Sequence, residues 1–596
     1  MTQARTPDAL KDLGRPLEEC IAACFPTSHV LLEGARQSLF CSLPVAFDPA
    51  QGIGCYLATI DRDELNEPWR FIDMGALIAT RAFGENDPKL TEAILADLPA
   101  VVNRYAHSEY QTVVSLRFKA ALDRLAPKGT PRHFVVNTGA EAVENAIKAA
   151  LLVRARTAGE KQGGVIVSFE GAFHGRTLGA LAVTHRKKAR LGFPTFDWPQ
   201  AIFPTEDAHA PVATLRREER SLRQVWEVMQ GHGGRGAFVE ELARIDAFLN
   251  QPGELAAFVA GERQRIGAEA LRRAHHVAAV LIEPIQGEGG VRMASARFFR
   301  RLRLLTLLYE VPLIFDEVQT GFGATGRMWA HEHFELPAPP DVVTWAKKAQ
   351  NGVLFVSEAL AVFFQEEKKF NTTWEGDSVG MLRLMATMER LDLAEVLRTG
   401  AIARAALEGL RARYPALILK VRGLGVMLAF DVVRSDWRDV LRDRAFRRGL
   451  ILLPAGERAL RFYPRYDTPE ETIHEAVDIL AAAVDDILAR GADVPMGPLL
   501  RVGAMTVPPA GAEAVEVNSE NFAEHRAGVM RVEIENHLLE LLRARVIAQG
   551  YLHLSALVEE RFRETGPAWL RSAEVLRSVD NYLHSGLRFV YLRSLA

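Results

Sequence analysis

Short apolar runs alternate with longer stretches of helical periodicity through most of the chain. Five of these runs have the length of a buried strand, and they cover residues 134–137, 165–169, 280–283, 313–316 and 342–345. Such an alternation predicts an α/β fold with a mainly parallel sheet and helices on both faces. Ligands bind to sheets of this class beyond the carboxyl ends of the strands, so the residues that follow the runs are candidates for a site.

Composition and charge narrow the class of protein. The chain has 596 residues, of which 48% are hydrophobic and 25% charged, with a formal net charge of −3, as expected for a large enzyme of two or three domains. No basic patch indicates nucleic-acid binding, and no apolar run has the length of a membrane span. The N-terminus lacks a signal pattern. We therefore expect a cytoplasmic protein with small-molecule substrates.

Cysteines and histidines do not form a metal-binding pattern. Cys20, Cys24, Cys41 and Cys55 all lie near the N-terminus, and their spacing is typical of reduced thiols in packing positions. A His-x-His sequence at residues 331–333 lacks the spacing of a helical zinc pair. We expect neither a metal ion nor an iron–sulfur cluster.

An acid and an amine follow neighbouring apolar runs. Asp316 ends the run 313–316, and Lys347 with Lys348 follows the run 342–345. A buried carboxylate can keep a pyridine nitrogen protonated, and a lysine can form a Schiff base with an aldehyde. This pair predicts a pyridoxal phosphate site, with Asp316 as the partner of the ring nitrogen and one of the two lysines as the reactive amine.

Two further segments support this prediction. Residues 135–141 pass from an apolar run through a glycine turn into a helix, whose N-terminus offers free N–H groups to a phosphate. Residues 168–177 place an aromatic, a histidine and an arginine on one turn after a strand. Phe173 in that turn could stack on the cofactor ring.

These segments, together with residues 281–290, resemble those of the class III, fold-type I aminotransferases. The resemblance runs from about residue 30 to about residue 490. Within that family the chain is similar to the branch that contains L-lysine 6-aminotransferase and 4-aminobutyrate aminotransferase. Segments 193–199 and 453–456 look like the lysine type, whereas 329–334 and 373–377 look like the aminobutyrate type. Lysine is the favoured substrate, and 4-aminobutyrate remains open.

The resemblance implies a role for each matching residue. Lys347 and Asp316 would be catalytic. The remaining cofactor contacts would be Gly139 and Ala140 on the phosphate, Phe173 and Val318 on the two faces of the ring, Gln319 on its phenolic oxygen, and Thr373 on the phosphate of a neighbouring subunit. The resemblance thus implies a homodimer with shared active sites.

Substrate recognition would depend on two arginines and one acid. A guanidinium grips a carboxylate through two parallel hydrogen bonds. The resemblance implies that Arg176 holds the substrate carboxylate far from the reacting amine. Glu288 would mask Arg422 during that half-reaction and release it when 2-oxoglutarate enters. The reaction would then move a terminal amino group to 2-oxoglutarate, giving a semialdehyde and glutamate. An aminomutase or decarboxylase on the same fold, and a non-catalytic scaffold, are the alternatives.

Four regions are expected along the chain. An N-terminal segment over 1–80 would pack with a small α+β domain over 395–490, and a large cofactor-binding domain would cover 81–394. An extra helical module over 497–596 would follow, with a role in partner binding, in oligomer stability or in packing against the body. A helical insertion between about 205 and 276 would be either a surface elaboration or a substrate lid.

Overall fold

The structure is a computed structural model that describes residues 3–35, 43–159, 164–208, 210–230, 234–365 and 368–489. The chain divides into two units, residues 1–491 and residues 492–596. The second unit lies outside the described residues, and so do the helical module predicted over 497–596 and Cys41. No helix in the described ranges is both long and apolar enough to cross a membrane.

Strands and helices alternate as the sequence patterns predict. The strands are β1 Tyr56–Arg62, β2 Pro68–Asp73, β3 Arg132–Val136, β4 Val165–Phe169, β5 Gln200–Ala201, β6 Val277–Ile282, β7 Ile285–Gln286, β8 Arg292–Met293, β9 Leu313–Asp316, β10 Val342–Trp345, β11 Gly352–Val356, β12 Ile418–Leu424, β13 Met427–Val432, β14 Leu450–Ile451, β15 Leu453–Ala455 and β16 Ala459–Phe462. The helices are α1 Leu17–Cys24, α2 Pro26–Ala35, α3 Ala76–Ala79, α4 Pro88–Asp97, α5 Val113–Leu125, α6 Gly139–Ala158, α7 Leu178–Ala182, α8 Lys187–Arg190, α9 Pro211–Gln230, α10 Arg235–Asn250, α11 Leu255–Ile266, α12 Ala268–Ala274, α13 Ala296–Leu308, α14 Ser378–Arg390, α15 Leu393–Arg413, α16 Ser435–Arg447 and α17 Glu470–Ala489.

The largest sheet has seven strands in the order β3-β11-β10-β9-β6-β4-β5. All five predicted strands are in it, and every neighbouring pair is parallel except the two pairs made by β11. Strand β6 is buried along its whole length, because helices cover both faces of the sheet. The fold class predicted from the apolar runs is therefore confirmed. Strand β11 was not predicted; it starts at Gly352, directly after the loop that carries Lys347.

Two smaller sheets lie within the same unit. Strands β12-β13-β16-β15 form an antiparallel sheet from the region after residue 395. Strands β1 and β2 form a three-stranded sheet with β14, where Leu450 pairs with Ile72. The N-terminal strands therefore pair with the chain beyond residue 395.

Helix α6 starts at the cavity end of the large sheet. The side chain of Thr138 accepts a hydrogen bond from the N–H of Glu141, and the Glu141 carboxylate accepts one from the N–H of Thr138. The apolar face of the helix, which includes Val143 and Ile147, is buried against the sheet. Local capping and tertiary packing thus set the position of the first turn of α6.

The insertion between about 205 and 276 forms helices α9 to α12. These helices pack against α13 and its flanks: Trp226 donates to the hydroxyl of Tyr309 at 3.0 Å, and Arg301 forms a bidentate pair with Asp246. None of the residues that line the main cavity described below comes from the described part of the insertion. The choice between a surface elaboration and a substrate lid stays open.

Candidate active site

A cavity of about 880 Å³ lies at the carboxyl ends of the large-sheet strands. Of the predicted site residues, nine line it: Gly139, Ala140, Phe173, Arg176, Glu288, Asp316, Val318, Gln319 and Lys347. Thr373 and Arg422 do not line it. Segments far apart in sequence therefore meet at one place, as the positions of the strand ends predict.

Asp316 is buried at the end of β9. Its Oδ1 accepts hydrogen bonds from the N–H of Val318 at 3.0 Å and from the hydroxyl of Thr344 at 3.3 Å. Its Oδ2 lies 2.7 Å from Nδ1 of His174, which must carry the proton there because a carboxylate only accepts. The carboxylate is thus held rigidly at the edge of the cavity.

Two residues that had no predicted role belong to this end of the cavity. Nε2 of His174 is buried without a hydrogen-bond partner in the described part of the chain. Glu283 follows β6, lines the cavity and accepts a hydrogen bond from the N–H of Phe173 at 3.0 Å. Burial, and then the negative charge of Asp316, raise the pKa of Glu283 well above its usual range. Glu283 directly follows β6, and this position was its available sequence signal. His174 lies on the turn after β4, and only the tertiary structure brings it to Asp316.

Lys347 points into the cavity against a strained turn. Its Nζ donates to the carbonyl of Ile78 at 2.9 Å. Ile78 lies in α3, whose residues from Ala76 to Ala79 all have positive φ angles between 45° and 63°. A left-handed turn of four non-glycine residues is costly and persists where the surrounding structure holds it, most often at functional sites. This turn presents a carbonyl acceptor to the reactive amine.

Both lysines of the pair have lowered basicity. Burial, and then the positive charge of Arg461, lower the pKa of Lys347 to about 8. Burial, and then the charge of Lys347, lower the pKa of Lys348 to about 7. Lys348 does not line the cavity; its Nζ donates to the backbone carbonyl of Gln319 at 3.1 Å. The geometry therefore supports Lys347 as the reactive amine and gives Lys348 a position behind the loop that carries Gln319.

The first turn of α6 is closely packed by small residues. A Cβ on Gly139 would lie 3.0 Å from Val318 and 3.2 Å from Ala346. Gly175 has a φ of 141°, and a Cβ there would lie 2.9 Å from that of Ala140. Larger side chains would fill the space in front of the free N–H groups of the helix. The turn is therefore shaped to admit a compact anion.

The loop after β9 completes the floor of the cavity. Gln319 is held by the hydroxyl of Tyr463 at 3.4 Å, and it comes so close to Gly287 that a Cβ there would lie 1.5 Å from Oε1 of Gln319. Val318 and Phe173 both line the cavity, and the guanidinium of Arg176 lies 5.7 Å from the ring of Phe173. A flat ring could occupy the space between the Val318 and Phe173 side chains.

Glu288 forms ion pairs with two arginines. Its Oε1 lies 2.5 Å from Arg461 on β16, and its Oε2 lies 2.7 Å from Arg186, which precedes α8. Burial raises the pKa of Glu288, but the charges of Arg461 and Arg186 outweigh burial and hold the pKa below its usual value. Glu288 therefore stays ionised and covers Arg461.

The predicted pair between Glu288 and Arg422 is wrong. Arg422 instead donates to Asp431 at 2.7 Å and to the carbonyl of Gly290 at 2.6 and 2.9 Å. These contacts occupy its guanidinium outside the cavity lining. Arg461 takes the position that the sequence assigned to Arg422.

The sheet register explains this error. Ala429 on β13 pairs with Arg422 on one side and with Arg461 on the other. The two arginines therefore lie in one row on the same face of the sheet, separated by a small residue. Asp431 lies two residues along β13 on that face and binds Arg422 on the β12 side. Arg461, on β16, is left to Glu288.

Arg176 and Thr373 have less contact with the rest of the site. Arg176 lines the cavity, and no carboxylate within the described ranges pairs with it. Thr373 is exposed, and its carbonyl accepts from the hydroxyl of Ser108 at 3.1 Å. Its predicted contact with a neighbouring subunit stays a prediction.

Comparisons with known proteins agree with this geometry. The family model for aminotransferase class-III matches residues 43–241 and 246–484. The chain belongs to the class III aminotransferases. It is 31% identical over 471 residues to L-lysine-epsilon aminotransferase of Mycobacterium bovis, and the match covers 75% of this chain and 94% of that protein. It is also 31% identical over 451 residues to 4-aminobutyrate aminotransferase of Dictyostelium discoideum, covering 70% and 80%. The solved lysine aminotransferase from M. tuberculosis in the internal aldimine form has a TM-score of 0.64 and 28% identity, and the match covers 77% of this chain and 99% of that one.

As a class III aminotransferase, the protein uses pyridoxal 5'-phosphate, and the residues of the cavity fit this cofactor. Asp316 would hold the ring nitrogen, Gly139 and Ala140 the phosphate, and Lys347 the aldehyde. A Cβ would fill the space in front of Gly139, so the glycine leaves room for the bound cofactor. Nε2 of His174 has no hydrogen-bond partner among the described residues, which suits a polar ring bound nearby. When bound, the cofactor supplies an aldehyde that condenses with amines and a ring that withdraws electrons from the neighbouring carbon.

Proposed function

We propose that this aminotransferase moves the terminal amino group of an ω-amino acid to 2-oxoglutarate, and that L-lysine is the preferred donor. The observation that supports this proposal is the pairing of Glu288 with Arg461 while Arg176 has no carboxylate partner among the described residues. In the same cavity, Glu288 covers the guanidinium of Arg461, and the guanidinium of Arg176 is open to a substrate. Such a site can bind a single distant carboxylate in one half-reaction and two carboxylates in the other.

In the first half-reaction, Arg176 would bind the carboxylate at the far end of the amine donor. Asp316 would keep the proton on the ring nitrogen. Lys347, with a pKa of about 8, would take the proton from the carbon that carries the reacting amine and return it to the carbon that carried the aldehyde of the cofactor. The carbonyl of Ile78 would orient the lysine Nζ between these two transfers.

In the second half-reaction, the α-carboxylate of 2-oxoglutarate would replace Glu288 on Arg461. Its distal carboxylate would then meet Arg176. Lys347 would transfer the proton in the opposite direction, and glutamate would leave. This order requires two successive substrates in one cavity, so we expect ping-pong kinetics.

A 4-aminobutyrate donor is the second candidate. Relatives with that activity match this chain at the same 31% identity as the lysine enzymes. Both donors carry a carboxylate far from the reacting amine, so both suit Arg176. They differ by an added amino group and chain length, which are worth a few kcal/mol at most in a pocket of this kind. Lysine is favoured because segments 193–199 and 453–456 look like the lysine type.

Absorbance of the bound cofactor distinguishes the candidates. We expect L-lysine to convert the aldehyde form to the amine form faster than 4-aminobutyrate or ornithine does, and 2-oxoglutarate to reverse the change. Lys347→Ala should show no conversion, because it lacks the group that moves the proton. Conversion by 4-aminobutyrate alone would transfer the assignment to the second candidate. No conversion by any donor would refute the proposal.

We also propose that the enzyme works as a homodimer with shared active sites. An exposed apolar surface supports this proposal; its members are Val102, Tyr105, Tyr110, Val113 and Leu116. Large exposed apolar patches mark association surfaces. Ser108, within this stretch, contacts the carbonyl of Thr373. A second copy covering this surface would therefore also lie close to Thr373.

Light scattering at a range of concentrations tests the dimer. Val113→Glu, at a position with 73% exposure, should convert the dimer to a monomer and reduce cofactor affinity. Val239→Glu, an exposed position on α10, is a matched control that should stay dimeric. A wild-type monomer with full activity would refute the proposal.

A further inference from the structure

The two oxygens of Glu288 bind guanidiniums with different surroundings. Arg461 has only 5% of its side chain exposed and also donates to the carbonyl of Pro454 at 3.1 Å. Arg186 has 34% of its side chain exposed, and Glu288 is the acid with which it pairs. Arg461 is therefore fixed within the β16 sheet, whereas Arg186 is held mainly by Glu288.

We propose that Arg186 is a positioning residue that retains Glu288 when a dicarboxylate takes its place on Arg461. This inference rests on the proposed function, because it assumes that a 2-oxo dicarboxylic acid is the amino acceptor. Arg186 thereby sets the affinity for the acceptor without binding it. The amine donor, which leaves Glu288 on Arg461, does not depend on Arg186.

The physical basis is the cost of an unpaired buried carboxylate. Glu288 is partly buried, with 20% of its side chain exposed, and Arg461, Arg186 and the more distant Lys347 keep its pKa low. If Arg461 turned to a substrate and Arg186 were absent, Glu288 would keep its charge without a cation. Removing one partner of a buried pair costs far more than a surface contact is worth. Arg186 removes this penalty from the state that binds the acceptor.

The surroundings of Arg186 leave room for this movement. A second cavity of about 960 Å³ borders the first, and Arg176, Arg186 and Phe173 line both. Arg186 can therefore turn toward the second cavity with Glu288 attached. The pair would then leave the front of Arg461 without either charge losing its partner.

Binding of glutarate, an unreactive dicarboxylate, to the pyridoxal phosphate enzyme tests the proposal by calorimetry. We expect Arg186→Ala to weaken glutarate binding by about tenfold or more. Arg186→Lys should recover part of this loss, because it keeps a cation near Glu288. Arg190→Ala, which removes a guanidinium that contacts His185 and Thr195 instead, should bind glutarate as the wild type does.

A second background separates positioning from direct binding. In Glu288→Gln there is no charge to retain, so adding Arg186→Ala should change the glutarate Kd by less than about twofold. An equal loss in both backgrounds would show that Arg186 binds the dicarboxylate itself and would overturn the proposal. Unchanged binding in the Arg186→Ala single variant would overturn it as well.

The outcome is distinct from that of the donor experiment. Wild-type glutarate binding without conversion of any ω-amine would refute the proposed donor and leave the role of Arg186 standing. A wild type that does not bind glutarate would overturn both the acceptor and the role of Arg186.

Discussion

The two ends of the cavity are built in different ways. At the cofactor end, Asp316 is held by three hydrogen bonds from neighbouring strand ends, and none of its partners is an oppositely charged lysine or arginine. At the carboxylate end, Glu288 lies between two arginines from separate segments. The first arrangement has one stable state. The second can exchange partners without leaving a charge unpaired.

This difference corresponds to what each end must do. The cofactor stays in place through both half-reactions, so its contacts gain from being fixed in advance. In the proposed function two substrates alternate, so the carboxylate end must suit two different acids. The fixed end comes from the large sheet, whereas the exchangeable end combines Arg461 of the smaller sheet with Glu288 and Arg186 from other segments.

The largest expected effect comes from changing the fixed end. Asp316→Asn should lower kcat by at least about a hundredfold, because an amide does not keep a ring nitrogen protonated. The amide oxygen can still accept from Val318 and Thr344, and its NH2 can donate to Nδ1 of His174 once the imidazole proton moves to Nε2, so the unfolding temperature should change little. Steady-state kinetics and calorimetry measure the two effects. A kcat within tenfold of the wild type would remove Asp316 from its assigned role.

The carboxylate end should show a difference between two arginines of the same row. Arg461→Ala should raise the KM for 2-oxoglutarate by about tenfold to a hundredfold, because it removes a bidentate partner of the carboxylate. Arg422→Ala should raise it by less than about threefold. Initial rates at saturating donor measure both values. If Arg422→Ala had the greater effect, Arg422 would be restored as the acceptor site.

The two ends are coupled through the charge of Arg461 on Lys347. Burial, and then Arg461, lower the pKa of Lys347 to about 8. A protonated amine does not attack an aldehyde, so capture of pyridoxal phosphate by the apoenzyme should accelerate as pH rises toward 8 and level off above it. Arg461→Gln should move the midpoint to higher pH, because a cation near the amine is lost.

Stopped-flow absorbance at a series of pH values measures this capture. The same reaction with a free amine in solution corrects for the ionisation of the reagent. A midpoint near the ordinary lysine value of about 10.4 would contradict the lowered pKa.

The smallest effect concerns the strained turn behind Lys347. Ala79 has a φ of 61°, which glycine adopts without strain. Ala79→Gly should leave the free energy of unfolding unchanged or raise it by up to about 1 kcal/mol. Ala401→Gly, at an exposed position within α15, should lower it by about 1 kcal/mol. Urea unfolding of the apoprotein compares them, and equal losses would argue against strain in the turn.

Much of the cofactor end follows from local sequence. Asp316 ends one apolar run, Gln319 lies just beyond it and Lys347 lies just beyond the next run, and parallel strands bring their carboxyl ends to one edge of a sheet. The glycine turn before α6 is likewise readable from residues within one or two turns. Strand identity and direction were enough to predict where these residues lie, whereas their individual roles came from the family resemblance.

The carboxylate end needed the tertiary structure. Arg422 and Arg461 both lie on strands, and both pair with Ala429. Their neighbours in the sequence therefore do not show which of the two meets Glu288. Which of them meets Glu288 depends on strand order and on Asp431, a residue that local patterns do not distinguish. Local sequence likewise did not indicate that Arg186 pairs with Glu288 or that the left-handed turn at Ile78 contacts Lys347. The sequence by itself therefore predicted the fold class and the cofactor, because strand-end position is local and the motifs at the strand ends resemble those of the family. Only the tertiary structure decided which arginines share Glu288, because ion pairing between distant segments depends on register and three-dimensional distance.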